Sequence, residues 1–167
     1  MKDIKIWFLL IFIFLFQYLL SDLLTIRYYR PDFIVIYILY FGLYFGSYYG
    51  VLAGFFIGLL VDLTPMASYF GISPLTYSIT GYLSGHLQNK YNRLSPFIFH
   101  SIWIIIIAFH FIIFTYIKYQ LLFEIDKLQF IFRWFSSFIY TLFFLLIMQY
   151  FFPIRRIQNA LIKKFSS

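Results

Sequence analysis

The residues of this sequence that could do chemistry are a few charged side chains near the ends of long apolar stretches. Asp22, Asp32 and Asp62 each stand at such an end, and a single arginine, Arg133, lies inside the last stretch. An ionisable side chain inside a bilayer is costly and is usually paired. We therefore expect intramembrane polar pairing between Arg133 and one of the aspartates, with Asp62 as the first choice. The alternative, a position in the headgroup layer, is favoured for Asp22 and Asp32.

Catalytic and metal-binding patterns are missing from the sequence. Two carboxylates can act as an acid–base pair, but no recognisable nucleophile with its base accompanies them. His100 and His110 would lie about 15 Å apart on one helix and could not share a metal ion. The chain has no cysteine, no phosphate loop and no dinucleotide fingerprint. We therefore predict that the protein is not an enzyme and uses no cofactor or metal, and that its lone histidines form hydrogen bonds between helices.

Glycines at four-residue spacing are the most informative pattern. Residues four apart share one face of a helix, and small residues allow close backbone contact in lipid, where little else draws helices together. The face formed by the first run of glycines serves either packing within the chain, which we favour, or docking of another subunit, including a second copy in a homodimer. Gly81 and Gly85 repeat the spacing further along the sequence and are candidates to pack against that face. The first run consists of Gly42, Gly46, Gly50, Gly54 and Gly58.

Long apolar segments must position the charged residues and the glycines. A membrane-spanning helix needs roughly 20 mostly apolar residues. One helix from Phe33 to Leu63 would be about 45 Å long, beyond the ~30 Å hydrocarbon core, so we place a break near residues 46–50; a long tilted helix is the alternative. The predicted segments are Ile4–Leu24, Phe33–Phe45, Gly46–Leu63, Tyr69–Leu87, Pro96–Ile117 and Leu128–Phe152.

The composition agrees with a membrane protein. Of the 167 residues, 63% are hydrophobic, 26% aromatic and only 11% charged, whereas an ordinary soluble domain is roughly 45–50% apolar and about 25% charged. These values exclude a soluble globular domain, a disordered chain and a disulfide-rich secreted scaffold. We predict an all-α polytopic membrane protein with one six-helix transmembrane domain, residues 1–153, and a basic amphipathic cytosolic tail, residues 154–167.

The basic residues predict the orientation. The net charge is +7, and we assign it to cytosolic helix ends that face anionic lipid rather than to nucleic acid. With both termini in the cytosol, the outer side carries only Arg27, Arg30, Lys118 and Lys127. The tail is expected to lie on the inner leaflet, the alternative being a frayed basic end. The inner side then carries Lys2, Lys5, Lys90, Arg93, Arg155, Arg156, Lys163 and Lys164.

Four motifs follow one another between about residue 31 and residue 90. They are Pro31-Asp32, Gly50-Val-Leu-Ala-Gly54-Phe-Phe-Ile-Gly58-Leu-Leu-Val-Asp62-Leu63, Gly71-Ile72-Ser73 with Leu75, and Gly81-Tyr82-Leu83-Ser84-Gly85. Glycine spacing alone is common in membranes, whereas the order and spacing of these motifs together are fairly specific. In this stretch the sequence resembles the MreD family of rod shape-determining proteins. Outside it only the layout of apolar segments agrees, and this sequence is richer in Phe, Tyr and Ile and poorer in Ala than typical members.

The resemblance implies a non-enzymatic scaffold subunit of the bacterial inner membrane that maintains cell shape. It implies contact with the membrane helix of MreC, and through MreC an indirect link to the elongation penicillin-binding protein, the RodA-type polymerase and MreB filaments. The family also looks like the substrate-binding subunits of energy-coupling-factor transporters, which share a six-helix fold. A vitamin-like small molecule bound by a transporter subunit is therefore the alternative function. A lipid-handling role has no dedicated motif here.

Overall fold

The computed structural model describes residues 15–19, 23–25, 29–64, 69–91 and 93–154. The regular structure in these ranges is helical, so the predicted all-α class is confirmed there. Residues 15–19 are helical, while the rest of the first predicted segment and the tail after Ile154 lie mostly outside the described residues. The helices that follow are α1 Phe33–Phe45, α2 Ser47–Asp62, α3 Ile72–Gly85, α4 Pro96–Lys118, α5 Gln120–Ile125 and α6 Lys127–Phe151.

Helix α1 forms the centre of the bundle. It begins after Asp32, whose side chain accepts a hydrogen bond of 3.0 Å from the Val35 amide and so satisfies an N-terminal N–H. Its apolar residues face neighbours on nearly every side, which explains why the segment reads as apolar throughout rather than as amphipathic. The fully buried α1 side chains are Ile34, Val35, Ile36, Ile38, Leu39 and Leu43.

A single residue, Gly46, separates α1 from α2. Its φ of 91° lies in the region that glycine adopts without steric cost, and its amide still donates to the Gly42 carbonyl at 2.8 Å. The start of α1 and the end of α2 line the same cavity, which shows that the chain reverses direction at Gly46. The predicted break is therefore at Gly46, and the alternative of one long tilted helix is wrong.

Helices α4 and α6 are the two described helices that are long and apolar enough, by length and composition, to cross a membrane. α4 has 23 residues and starts at Pro96 with Ser95 as its cap; α6 has 25 residues and is capped by Asp126. The predicted segments leave residues 118–127, between these two helices, unassigned. The structure places the short helix α5 there, which has only 6 residues and falls below the length that an apolar-segment search detects.

Candidate functional site

The predicted glycine faces of α2 and α3 lie against each other. We call this contact the glycine seam, formed by Gly50, Gly54 and Gly58 of α2 with Gly81 and Gly85 of α3. At its centre, a Cβ added to Gly50 would overlap the Gly81 carbonyl, and one added to Gly81 would overlap the Gly50 backbone. The two helices thus meet through their bare backbones, as small residues at four-residue spacing permit.

The seam continues on both sides of this central pair. A Cβ on Gly54 would meet the Tyr77 backbone, one on Gly58 would meet the Pro74 backbone, and one on Gly85 would meet the backbone of Ser47. Gly46, in the turn, instead faces the side chain of Gln88. The seam is therefore occupied by the same chain along its length, so a partner subunit would have to approach another face.

A polar cluster around Asp32 joins four helices, and we call it the Asp32 network: Asp32, Tyr77, Thr80, His110 and Thr141. The Tyr77 hydroxyl donates to Asp32 Oδ2 at 2.8 Å, and the Asp32 amide donates to Thr141 Oγ1 at 3.1 Å. His110 Nε2 lies 3.9 Å from Asp32 Oδ2. His110 of α4 is also joined to α3, since its Nδ1 lies 2.8 Å from Thr80 Oγ1. Because a buried polar group without a partner is costly, these hydrogen bonds fix α1, α3, α4 and α6 relative to one another.

The hydrogen bonds of Thr80 indicate which ring nitrogen of His110 carries a proton. The Thr80 hydroxyl donates to the Thr76 carbonyl at 2.8 Å, and His110 Nδ1 lies 2.8 Å from Thr80 Oγ1 and 3.4 Å from the Thr76 oxygen. Nδ1 thus faces two acceptors, so we assign it as the N–H donor. The Nε2 edge of the ring then points toward the carboxylate of Asp32.

Replacing Tyr77 by Phe should lower the free energy of unfolding by about 1.5–3 kcal/mol, because a hydrogen bond to the carboxylate of Asp32 is lost while the ring remains. Tyr82→Phe is the matched control, since Tyr82 lies on the same helix and is 50% exposed. Unfolding of the full chain in mixed micelles of neutral detergent and dodecyl sulfate measures both variants. Equal stability of the two would argue against a structural role for the Tyr77 hydroxyl.

A cavity of about 530 Å³ opens beside the Asp32 network. It lies at the end of the bundle where α1, α3 and α6 begin and where α2 and α4 end. Its walls combine aromatic rings, aliphatic side chains and charged groups. The charged residues that line it are Arg30, Asp32, Asp62, Lys118 and Arg133.

Three of the four predicted polar-pairing residues line this one cavity, namely Asp32, Asp62 and Arg133. Asp62 is buried and accepts a hydrogen bond from the Gly71 amide, in the turn that leads into α3. The guanidinium of Arg133 lies 4.6 Å from the centre of the Tyr119 ring. An ion pair between Asp62 and Arg133 stays a prediction, and Asp22 lies outside the described residues.

Sequence analysis did not single out Tyr77, Thr80 and Thr141, and it treated His110 only as a bridging histidine. One signal was present in the sequence: Thr76, Thr80 and Ser84 repeat at the same four-residue spacing as the glycines of α3. All three are buried, and each hydroxyl donates to a carbonyl of the preceding turn. Within the described ranges, no group of three or more His, Asp or Glu residues could hold a metal ion.

The family model described as rod shape-determining protein MreD matches residues 1–154. No curated protein and no solved structure matches the chain. The match extends beyond the motifs between residues 31 and 90 and includes both long apolar helices, α4 and α6. The chain therefore belongs to the MreD family of rod shape-determining proteins.

Proposed function

We propose that this protein is a non-enzymatic scaffold subunit of the cell-elongation complex in the bacterial inner membrane. It binds the membrane helix of MreC and so couples peptidoglycan synthesis to the cytoskeleton. The observation that carries the proposal is the family match over residues 1–154. The glycine seam supports it, because the chain uses its small residues to hold its own helices together and leaves large apolar surfaces outside.

The topology proposed with this function has six membrane-spanning helices and both termini in the cytosol. The common end of α1, α2, α3, α4 and α6 that carries the cavity then faces outward, and Arg93, in the α3–α4 loop, lies at the cytosolic end. The basic tail after residue 153 lies on the inner leaflet, where anionic lipid attracts it.

Helix α6 is the surface that we assign to MreC. Much of its length carries large apolar side chains that are exposed in the described part of the chain. In lipid, association of such a face depends on close packing with a complementary helix rather than on hydrophobicity. The exposed apolar residues of α6 include Leu128, Ile131, Phe132, Phe135, Ile139, Phe143, Leu146 and Tyr150.

Co-purification of MreC with the full chain tests the scaffold role. We expect MreC to remain bound after solubilisation, and a photo-crosslinking residue at Phe143 of α6 to capture it. Phe55 of α2, also exposed and aromatic, is the matched control position. Crosslinking at Phe55 but not at Phe143 would show that MreC contacts another face of the protein. Failure of MreC to co-purify with the unmodified chain would contradict the scaffold role itself.

The second candidate function is the small-molecule binding subunit of a membrane transporter. The cavity favours it, because about 530 Å³ is within the range of small-ligand sites. Mass spectrometry of the purified full chain separates the two functions. A tightly retained water-soluble nutrient would support the transporter, whereas co-purified MreC without such a molecule would support the scaffold.

A further inference from the structure

We propose that the cavity beside the Asp32 network binds a neutral polyhydroxylated molecule, a sugar or polyol, through the hydroxyls of Ser73 and Thr115. The site gives a ligand class to the second candidate function and rests on that function, whereas it does not depend on the scaffold role. The inference is carried by the engaged charges of the cavity, by two buried hydroxyls that are not engaged, and by the aromatic rings that line the same space.

The charged side chains of the cavity already have contacts of their own. Asp32 and Asp62 accept hydrogen bonds from within the chain. Arg30 and Arg133 have partners in the structure as well, and Lys118 Nζ lies 5.4 Å from the centre of a phenylalanine ring. A charged ligand would have to compete with these contacts, so the cavity favours a neutral one.

Two buried hydroxyl side chains that line the cavity have no hydrogen-bond partner in the described part of the chain. Ser73, in the first turn of α3, is 4% exposed, and Thr115, near the end of α4, is 3% exposed. The hydroxyl of Ser101, also on α4, instead donates to the carbonyl four residues earlier at 3.0 Å. Since buried polar groups almost always have a partner, we assign the hydroxyls of Ser73 and Thr115 to a molecule in the cavity.

The unpartnered hydroxyls come from different helices and share the cavity with aromatic rings. Ser137 of α6, which is half-buried, adds a third hydroxyl without a hydrogen-bond partner in the described ranges to those of Ser73 and Thr115. A hydroxyl both donates and accepts, so it is complementary to the hydroxyls of a sugar or polyol. The rings of Phe111 and Phe114 line the same space and offer apolar surface to the C–H groups of such a molecule.

The size and place of the cavity suit a small water-soluble molecule. Its volume of about 530 Å³ is within the range of about 300–1,000 Å³ for sites that combine apolar walls with a few convergent polar groups. Thr115 lies in the last turn of α4, which is long enough to cross a membrane. In the proposed topology the site is therefore near the outer aqueous end of the bundle, where a sugar or polyol can reach it.

Thermal unfolding of the purified full chain in lauryldimethylamine oxide, a detergent without a sugar group, tests this site. The polyol probes are glucose, maltose and myo-inositol, and the control probe is tetraethylene glycol dimethyl ether, which has ether oxygens but no hydroxyl. We expect at least one polyol to raise the unfolding temperature in a saturable way. Its apparent affinity should fall about tenfold in Thr115→Val and in Ser73→Ala, as for loss of one hydrogen bond.

Matched variants separate a lost contact from a general change in the protein. Thr115→Ser keeps the hydroxyl and should keep the affinity. Ser101→Ala removes a hydroxyl that does not line the cavity and should leave the affinity unchanged. If Thr115→Val fails to fold, the comparison of Ser73→Ala with Ser101→Ala decides.

Saturable stabilisation that Thr115→Val weakens and Thr115→Ser retains would support the site. The proposal is overturned if every polyol stabilises only in proportion to its concentration, as excluded solutes do, if the ether stabilises as well as the polyols, or if Ser101→Ala weakens binding as much as Ser73→Ala. A charged nutrient retained by the purified chain would overturn the polyol site while leaving the second candidate function standing.

Discussion

Gly81→Leu should lower the free energy of unfolding by about 3–5 kcal/mol, the largest effect expected from a single substitution in this chain. The backbone of Gly50 lies where the new side chain would begin, and even a Cβ would overlap it. A flexible side chain could move aside, but a helix backbone cannot without separating α2 from α3. Unfolding of the full chain in mixed micelles of neutral detergent and dodecyl sulfate measures the loss.

Tyr82→Leu is the matched control for this prediction. Tyr82 follows Gly81 on the same helix and is 50% exposed, so the same new side chain points away from the seam. We expect its effect to stay within about 1 kcal/mol. Similar losses for the two variants would mean that leucine is tolerated between the helices, and that the seam does not hold α2 and α3 together.

Asp32→Ala should lower the free energy of unfolding by about 2–4 kcal/mol. The substitution removes the cap of α1, worth about 0.5–2 kcal/mol, and it leaves the buried Tyr77 hydroxyl without its acceptor, which costs about 1–3 kcal/mol. The same unfolding assay measures the change.

A second aspartate cap provides the control for Asp32. Asp126 caps α6 by accepting from the Gln129 amide at 3.0 Å, in the same geometry but on an exposed surface. Asp126→Ala should therefore show only the cap contribution of about 0.5–2 kcal/mol. Asp32→Asn should recover most of the loss, because asparagine also caps a helix with its side-chain oxygen, and its Nδ2, in the place of Oδ2, can donate to the Tyr77 hydroxyl oxygen. Equal losses for Asp32→Ala and Asp126→Ala would contradict the Asp32 network.

The sequence predicted the helices and the close helix contact because both depend on local spacing. Four-residue repeats of glycine predict one small-residue face on α2 and another on α3. The break near Gly46 was predicted because one unbroken helix would be longer than the hydrocarbon core of a bilayer. In the structure, Gly81 and Gly85 of α3 face the backbone of Gly50 and Ser47 of α2. Whether a partner also depends on these residues stays a prediction.

The Asp32 network could not be predicted in the same way. Tyr77 and His110 reach Asp32 from helices that are distant in the sequence, and spacing identifies a helix face but not the residue opposite it. The bond from the Gly71 amide to Asp62 was also not predicted, because a backbone donor leaves no pattern in the side chains. The ring contact of Arg133 with Tyr119 could not be predicted either, since a sequence with 26% aromatic residues does not indicate which ring lies nearby.

The central claim is that this chain is a scaffold whose glycine seam is filled from within and whose partner binds elsewhere. The sequence has no cysteine, so a double variant, Val51→Cys with Ser78→Cys, carries the only two thiols. Ser78 Oγ lies 3.4 Å from the Val51 carbonyl oxygen across the seam. Bridging the thiols with a short bifunctional reagent should give a species of monomer mass that still co-purifies with MreC. A bridge between two chains, or loss of MreC from the bridged monomer, would contradict the claim.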